Sequence, residues 1–538
     1  MWSSSRFNLK FFSILFSSFL IMTFSLFSSA ATSKVIRIAL AEEPPNLNSS
    51  KSTDQVSFFV LGHIMEGLLK YDKKGGLAPG VAEKWELTEK NATFNLRKNA
   101  QWSDGRPVRA VDFVFAWRTA VDPKTASEYA FLMYPIKNAE KINAGKLNTS
   151  ELGVTAVDEF TLKVEFEKPC GYFLSLMPFG IYLPIREDFY NSTQGKYFAD
   201  ADKMIFNGPF KLTSWVHGAS LRMEKNEKYW NASAIKINMI DAPYITSDTN
   251  TRFNLFKDKK TDFVTLDSET MSNAIKNNFK VKSFSAGSVF YLEFNHQKGR
   301  VTGNKNLRKA IQLVYDPKEL VDRILATPGN LPGYSLFPEW LMGVKTNFRK
   351  EYPVKPWKKN IPEAKKHLEL AKKELKLKEI PDLVYLTGDS PTSTKQSEYI
   401  QNLLAETLNI KIKIDKQTFK QRLAKMNSGE FDIVAAGWGP DYNDPLTFAD
   451  LFTSWNLNNR GRYKSEEYDR LIKVAQGTTD PKKRMDAMGK AQELILKDLP
   501  ILPQYESGEV YVVSPRLKGL VRSVIGADPN YTYADIVE

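Results

Sequence analysis

Residues 431–445 read FDIVAAGWGPDYNDP, an apolar run followed by a turn rich in Gly, Pro, Asn and Asp. The run predicts a strand over 431–436, and the residues after it predict a rigid turn. The glycines on either side of Trp438 lack side chains, so another backbone can approach them closely. Trp438 offers a flat apolar wall and Asp441 an anionic point, a combination that suits an extended, amine-bearing ligand. An ordinary aromatic-stabilised turn is the alternative interpretation.

Strand and helix signals alternate on both sides of this stretch. Residues 160–167 and 410–415 alternate apolar and polar side chains, which is the period of a half-buried strand. Apolar residues at helical spacing predict an amphipathic helix over 363–378. Asp480 before Pro481 is typical of a helix start. The pattern predicts an α/β fold with mixed strand orders, built as several lobes that pack on one another.

The composition is that of a folded globular protein. Of 538 residues, 42% are hydrophobic and 12% aromatic. This length corresponds to roughly three or four domains, or to fewer large ones. The net charge of +13 is compatible with a nucleic-acid partner, an anionic membrane surface, or solubility alone. The single cysteine, Cys170, excludes an intramolecular disulfide and a zinc site built on cysteines, and we expect its thiol to be buried and inert.

The N-terminal residues predict export. Arg6 and Lys10 precede an apolar run that ends in small residues at 28–30, with no Asp or Glu, as in a secretory signal peptide. The apolar run is too short and too rich in serine for a membrane anchor. Because no cysteine lies near the cleavage site, the sequence does not predict a lipoprotein. We therefore predict a signal peptide at 1–30 and a mature periplasmic chain, 31–538. For an exported protein the positive charge is best read as surface lysine, with no nucleic-acid partner.

Catalytic motifs are missing or incomplete. His-Glu-x-x-His and Gly-x-Ser-x-Gly do not occur. Residues 388–395 suggest a phosphate loop but lack the glycine before Lys395. Asp441 and Asp444 could serve as an acid/base pair, yet in such a segment Asp usually caps or turns the chain. We predict no enzyme, no catalytic residue, no metal site and no cofactor.

A long collinear series of motifs resembles one family. It contains AEKW at 82–85, LR at 96–97, WSDGRPV at 102–108 and DFV at 112–114, and it continues through YWN at 229–231 to GWGPDYNDP at 437–445. These segments, in this order, resemble extracellular solute-binding family 5, the peptide and nickel receptors of ABC importers, and above all its periplasmic oligopeptide-binding members. The resemblance covers essentially all of 35–538.

The resemblance implies a three-lobed periplasmic-binding-protein clamp (type II, cluster C-like) with mixed sheets and a two-strand hinge. Lobe I would be discontinuous, comprising 31–65, 185–287 and 511–538. The small lobe II would be 66–184 and lobe III 288–510. Such a protein, most simply a monomer, captures an oligopeptide between lobes I and III and delivers it to an ABC permease in the inner membrane.

The resemblance also implies a ligand-binding site. The residues that it assigns are Asp441, Trp438, Gly437, Gly439, Tyr129, Phe419, Thr53 and Gln55. The peptide would add as a strand to the backbone of 437–439, with 53–55 facing it. Asp441 would pair with the ligand's α-ammonium. Trp438 and Tyr129 would line a side-chain pocket, and Phe419 stands where a tryptophan is common.

The end that would bind the ligand's carboxylate departs from the family. Arginines and a histidine that lie near the ligand's C terminus in relatives align with Ala435, Met426 and Ser393, and a family glutamate aligns with Thr53. Lys425, beside one of these positions, is a possible substitute. The chain could therefore prefer longer peptides, a cell-wall peptide, or a ligand whose carboxylate meets a different cation.

Other functions stay open from the sequence. One is a receptor of the same family for a murein peptide or for a non-peptide ligand such as a nickel chelate, haem or a sugar. A second is an exported hydrolase of peptides or cell wall, and a third is a folding helper or surface adhesin.

Overall fold

Residues 33–537, which the computed structural model describes, form an α/β fold with several separate sheets. The signal peptide predicted at 1–30 lies outside the described residues. The strands are β1 Val35–Leu40, β2 Leu69–Tyr71, β3 Leu77–Pro79, β4 Ala82–Leu87, β5 Asn91–Leu96, β6 Val154–Asp158, β7 Thr161–Glu165, β8 Phe210–Val216, β9 Ser220–Lys225, β10 Met239–Ile245, β11 Phe263–Leu266, β12 Lys282–Phe294, β13 Leu331–Pro332, β14 Leu383–Gly388, β15 Ile412–Gln417, β16 Ile433–Trp438, β17 Ile501–Val513, β18 Leu517–Lys518 and β19 Asp535–Ile536.

Helices alternate with these strands along the chain. The α-helices are α1 Gln55–Ile64, α2 Ala110–Val121, α3 Ala139–Asn143, α4 Phe173–Leu176, α5 Glu187–Ser192, α6 Thr249–Lys257, α7 Ser268–Lys276, α8 Lys305–Val314, α9 Pro317–Glu319, α10 Phe348–Glu351, α11 Ile361–Leu375, α12 Pro391–Leu408, α13 Phe419–Ser428, α14 Leu446–Ala449, α15 Glu466–Gln476 and α16 Pro481–Asp498. A π-helical turn, Leu320–Leu325, follows α9. Within residues 33–537, no helix has the length and apolar character needed to cross a lipid bilayer.

The largest sheet mixes parallel and antiparallel pairs. Its order is β11-β17-β12-β16-β14-β15, with β13 on β17. Strand β14 pairs parallel with β15 and β16, whereas β12 pairs antiparallel with both β16 and β17. Two four-stranded sheets, β1-β10-β9-β8 and β4-β5-β7-β6, lie elsewhere in the chain. This arrangement confirms the predicted α/β class with mixed sheets.

Strands β12 and β17 are the longest, with 13 residues each. They pair with one another and carry β11 near one end and β16 near the other. Their register shifts between Ser285 and Val289, an irregularity that bends a strand. The lobe boundaries predicted at 287/288 and 510/511 fall inside these two strands. The lobe boundaries themselves stay a prediction.

The elements predicted from periodicity are present. The strands predicted over 160–167 and 410–415 correspond to β7 and β15, and the helix predicted over 363–378 corresponds to α11. Asp480 caps α16 by accepting a hydrogen bond from the backbone N–H of Lys482 at 2.9 Å. Strand β16 is shifted by two residues from the predicted 431–436: it begins at Ile433 and runs through Trp438, because its ladder with β12 continues to the Trp438–Val289 pair. Cys170 is a buried free thiol, as expected, and burial raises its pKa to about 12.

His63 ties α1 to the C-terminal segment. The ring is 0% exposed, its Nδ1 lies 2.7 Å from the carbonyl oxygen of Phe59, and its Nε2 accepts a hydrogen bond from the backbone N–H of Tyr531 at 3.0 Å. Both contacts suit the neutral imidazole, which donates from one nitrogen and accepts at the other. Burial lowers the pKa of His63 to about 4. His63 therefore serves the fold as a buried, neutral imidazole.

We expect His63 to make stability depend on acid. Because its folded pKa of about 4 lies below its ordinary value of 6.5, the stabilisation is complete above pH 6.5 and is lost as pH falls toward 4. His63→Leu should be less stable than wild type at pH 7.5, and this gap should shrink by about 3 kcal/mol by pH 4. Urea unfolding of both proteins across this range measures the gap. A gap that does not change with pH would contradict the assignment.

Candidate functional site

A cavity of about 410 Å³ lies among the start of α1, the end of β16 and α13. Its lining includes every ligand-binding residue expected from the sequence: Thr53, Gln55, Tyr129, Phe419, Gly437, Trp438, Gly439 and Asp441. These residues are separated by hundreds of positions in the chain, so the fold brings them together.

Asp441 is a buried carboxyl group at one end of this cavity. Its side chain is 6% exposed, and its Oδ2 accepts a hydrogen bond from the Tyr129 hydroxyl at 2.9 Å. The backbone N–H of Asp441 donates to Thr447 Oγ1 at 2.8 Å, which fixes the turn. Burial raises the pKa of Asp441 well above its ordinary value, and no cation of the described residues contributes an opposing effect. Such a site favours the arrival of a cation, because an isolated buried charge is costly.

Aromatic rings form the wall beside Asp441. Trp438 is buried and meets Tyr129 edge-on, with ring centroids 6.1 Å apart. Tyr129 also packs against Phe179 at 5.0 Å and Phe58 at 6.2 Å. Ring pairs of this geometry contribute about 0.5–1.5 kcal/mol beyond their area burial. The wall therefore gives Asp441 a packed, aromatic surround.

The space above the two glycines is occupied by side chains, not by another backbone. A Cβ added to Gly437 would lie 2.6 Å from Cδ1 of Phe290, and one added to Gly439 would lie 2.5 Å from Nε2 of Gln55. Phe290 in turn stacks on Tyr505 with ring centroids 4.6 Å apart. The expected close approach thus exists, but the groups that approach are the Phe290 ring and the Gln55 amide. Sequence reasoning missed Phe290 and Tyr505, which come from β12 and β17.

Asp54 lines the cavity beside Thr53, but its carboxylate is committed to the helix that follows. Asp54 caps α1, accepting hydrogen bonds from the backbone N–H and the hydroxyl of Ser57, both at 2.8 Å. Burial raises the pKa of Asp54 to about 6, although these hydrogen bonds oppose the shift. Asp441 is therefore the better anionic site in this cavity.

The cationic residues that line the cavity differ from the one that the sequence suggested. Lys425 forms an ion pair with Asp415 at 2.6 Å and is not part of the cavity lining, so it is not the substitute cation. Ala435, Met426 and Ser393 do line the cavity, without charge. Arg422 and Arg460 line it as well and were missed from the sequence. The available signal was spacing, because Arg422 precedes Met426 by four residues and so shares its face of α13.

Arg460 already has protein partners. It is buried, its Nε donates to Asn427 Oδ1 at 2.9 Å, and its Nη2 lies 3.4 Å from Glu128 Oε2. Glu128 directly precedes Tyr129, which contacts Asp441. Two consecutive residues therefore contact charged side chains that line the cavity, Arg460 and Asp441.

Residues 76–459 match the middle region of the bacterial extracellular solute-binding proteins, family 5. The chain belongs to this family. Among curated relatives, the dipeptide-binding protein DppE of Bacillus subtilis is 32% identical over 497 residues, which cover 92% of this chain and 90% of DppE. The structure of Listeria monocytogenes OppA bound to peptide is 33% identical and superposes with a TM-score of 0.89, covering 94% of this chain and 100% of that one. These relatives are binding proteins.

Two structures of a murein tripeptide binding protein named MppA, the first of them from Escherichia coli, allow the conformation of this chain to be compared. One superposes with a TM-score of 0.86 at 26% identity, covering 94% of this chain and 99% of that one. The unliganded open form, also 26% identical, superposes with a TM-score of only 0.62, although coverage is 94% and 98%. The conformation described here therefore superposes less well on that open form than on the other MppA structure.

Proposed function

We propose that the protein is a solute-binding receptor that captures oligopeptides and delivers them to an ABC-type import permease in the inner membrane. The observation that carries the proposal is Asp441, a buried carboxyl group without a cationic partner among the described residues, set in a cavity walled by aromatic rings. A peptide's α-ammonium supplies the missing charge. Its backbone supplies donors and acceptors for the side of 437–439 that faces away from β12, beyond the ladder that β14 forms with 433–434.

Peptide is the ligand class that the relatives support. DppE is a dipeptide-binding protein, OppA has been solved bound to a peptide, and MppA is a murein tripeptide binding protein. A murein peptide is therefore the second candidate, since it also presents amines and carboxylates. The nickel-chelate, haem and hydrolase alternatives are not favoured. Within residues 33–537, no three His, Cys, Asp or Glu side chains are grouped as metal ligands.

We further propose that the receptor acts as a monomeric, non-catalytic clamp in the periplasm after removal of 1–30. Lobe I would be 31–65 with 185–287 and 511–538, lobe II 66–184 and lobe III 288–510, with β12 and β17 as the hinge. Contacts made only when the lobes close would shift an open–shut equilibrium toward the shut form.

Glu128 is expected to hold the shut form. It belongs to the proposed lobe II, and its Oε2 and Oε1 meet Arg460 at 3.4 Å and Asn427 at 3.0 Å in the proposed lobe III. Because the Glu128 side chain is 22% exposed, its ion pair is screened by water. Glu128→Gln should raise the peptide dissociation rate about two- to fivefold and leave the association rate nearly unchanged.

Surface plasmon resonance with tetra-alanine measures both rates. Glu165→Gln is the matched control, because Glu165 pairs with Lys137 in the same proposed lobe and both side chains are half exposed. Equal rates in Glu128→Gln and wild type would contradict a role in closure.

Native mass spectrometry of residues 31–538, expressed in a bacterial periplasm and purified gently, tests the proposed function. A series of co-purifying masses that correspond to short peptides supports an oligopeptide receptor. One discrete mass would identify a dedicated ligand. An empty protein whose melting temperature does not respond to a peptide library would contradict the proposal.

A further inference from the structure

The cavity holds a cation that has no carboxylate partner among the described residues. Arg422 lies on α13, and its guanidinium reaches the carbonyl oxygen of Ala435 at 3.4 Å, a long contact for a hydrogen bond. Its Nε is buried and has no hydrogen-bond partner in the described part of the chain. The ring of Phe419 lies 5.3 Å from the guanidinium carbon. A guanidinium can donate five hydrogen bonds, so most of this capacity is unused.

The surroundings of Arg422 are those of a receiving site for an anion. Burial lowers the pKa of Arg422 from its ordinary value. Glu42 and Asp389 contribute favourable fields, but neither is within ion-pair distance. The other arginine of the cavity, Arg460, is held by Glu128 and Asn427. Arg422 is thus the cation of this lining best able to accept a new partner.

The cavity is therefore bipolar. Asp441 follows the end of β16, and Arg422 contacts Ala435 near the middle of the same strand. Strand geometry puts about 10 Å between the Cα atoms of Ala435 and Trp438. Asp441 lies beyond Trp438, in the turn that follows β16. An extended peptide that runs beside β16 would span this interval with about three to five residues.

We infer that Arg422 binds the C-terminal carboxylate of the ligand and so makes this receptor select short zwitterionic peptides. The inference rests on the proposed function. Met426, four residues later on the same helix face, also lines the cavity but carries no charge. The cationic residue of α13 therefore stands about one helical turn, roughly 6 Å along the helix axis, from the Met426 position. A planar guanidinium matches a carboxylate with two parallel hydrogen bonds.

Isothermal titration calorimetry with tetra-alanine, as the free acid and as the C-terminal amide, tests the inference. Both forms keep the free amine that Asp441 would bind. Wild type should bind the acid at least about tenfold more tightly than the amide, the size expected of a charge-assisted contact. Arg422→Gln should bring this ratio close to one, mainly by weakening the acid. Arg422→Lys should keep part of the preference, since it retains the charge but not the planar fork.

Lys425→Gln is the matched control, because Lys425 is a cation of the same helix that pairs with Asp415 and does not line the cavity. It should retain the acid preference of wild type. A length series from dialanine to hexa-alanine should show the largest preference at about three to five residues. An unchanged acid preference in Arg422→Gln, or none in wild type at any length, would overturn the role of Arg422 while leaving the receptor function standing. If neither form binds wild type, the proposed function itself fails, and the inference with it.

Discussion

Asp441→Asn is expected to weaken the binding of free-amine peptides by about 100-fold or more. The substitution keeps the shape of the side chain and removes its charge, so the ligand's α-ammonium would be buried beside Tyr129 without a counter-ion. Leaving one partner of a buried ion pair unpaired costs about 3–5 kcal/mol. Isothermal titration calorimetry with tetra-alanine measures the change.

N-acetylated tetra-alanine separates charge from shape in this experiment. Its amide nitrogen carries no charge, so its affinity should differ by less than about threefold between wild type and Asp441→Asn. A second cavity of about 130 Å³ adjoins Asp441 and also includes Phe58 and Phe179, which leaves room for the acetyl group. Equal losses for both ligands would refute pairing with the α-ammonium.

The ligand-free stability of Asp441→Asn provides an independent check. Burial already raises the pKa of Asp441 well above its ordinary value, so the charged form disfavours the compact structure when no cation is bound. Because the folded pKa is raised, this penalty is present at neutral pH and is relieved as pH falls. Asp441→Asn should therefore unfold at a temperature equal to or above that of wild type at pH 7.5. A clear loss of stability would mean that Asp441 serves the fold instead of a ligand.

Local periodicity and turn chemistry accounted for much of the fold. The α11 and α16 helices and the β7 and β15 strands each depend on a few adjacent residues, which is why their patterns could be recognised. The end of β16 could not be recognised from the sequence, because its last two residues are held by pairing with β12, which lies more than a hundred positions earlier in the chain. Non-local pairing of this kind leaves no periodic signal in the strand itself.

The residues of the candidate site likewise fall into those that the sequence could show and those that depend on the fold. Asp441 and Trp438 belong to one continuous turn, so the sequence presented them together. Phe290 above Gly437 depends on the register between β12 and β16, and Arg422 depends on which face α13 turns to the cavity. Lys425 illustrates the difficulty, since it is adjacent to Met426 in sequence but pairs with Asp415 outside the cavity. Adjacent residues on a helix point about 100° apart, so a neighbour in sequence is a poor substitute for a residue four positions away.

Trp438→Ala is expected to lower the affinity for all short peptides by a similar factor, about 10- to 100-fold. Trp438 closes the cavity beside Asp441 as a buried wall that packs edge-on against Tyr129, and it offers no charged group that would distinguish one ligand side chain from another. Its loss removes apolar contact area and admits water next to a charge pair, which weakens that pair for every ligand. Titration of peptides Ala-Xaa-Ala-Ala, with Xaa as Ala, Leu, Phe, Lys or Glu, measures whether the loss is uniform.

Trp455→Ala separates this effect from a general loss of packing. Trp455 is a partly buried tryptophan that packs on the same hydrophobic core and meets Lys473 at 4.9 Å, but it is not among the residues that line the cavity. Both variants should lose stability in urea, since removing a tryptophan from a packed site costs about 3–5 kcal/mol at full burial. Only Trp438→Ala should also lose affinity when both are measured under conditions in which they are fully folded. A loss confined to aromatic Xaa would instead make Trp438 a side-chain selector, and the breadth of the receptor would then have to come from the backbone contacts along β16.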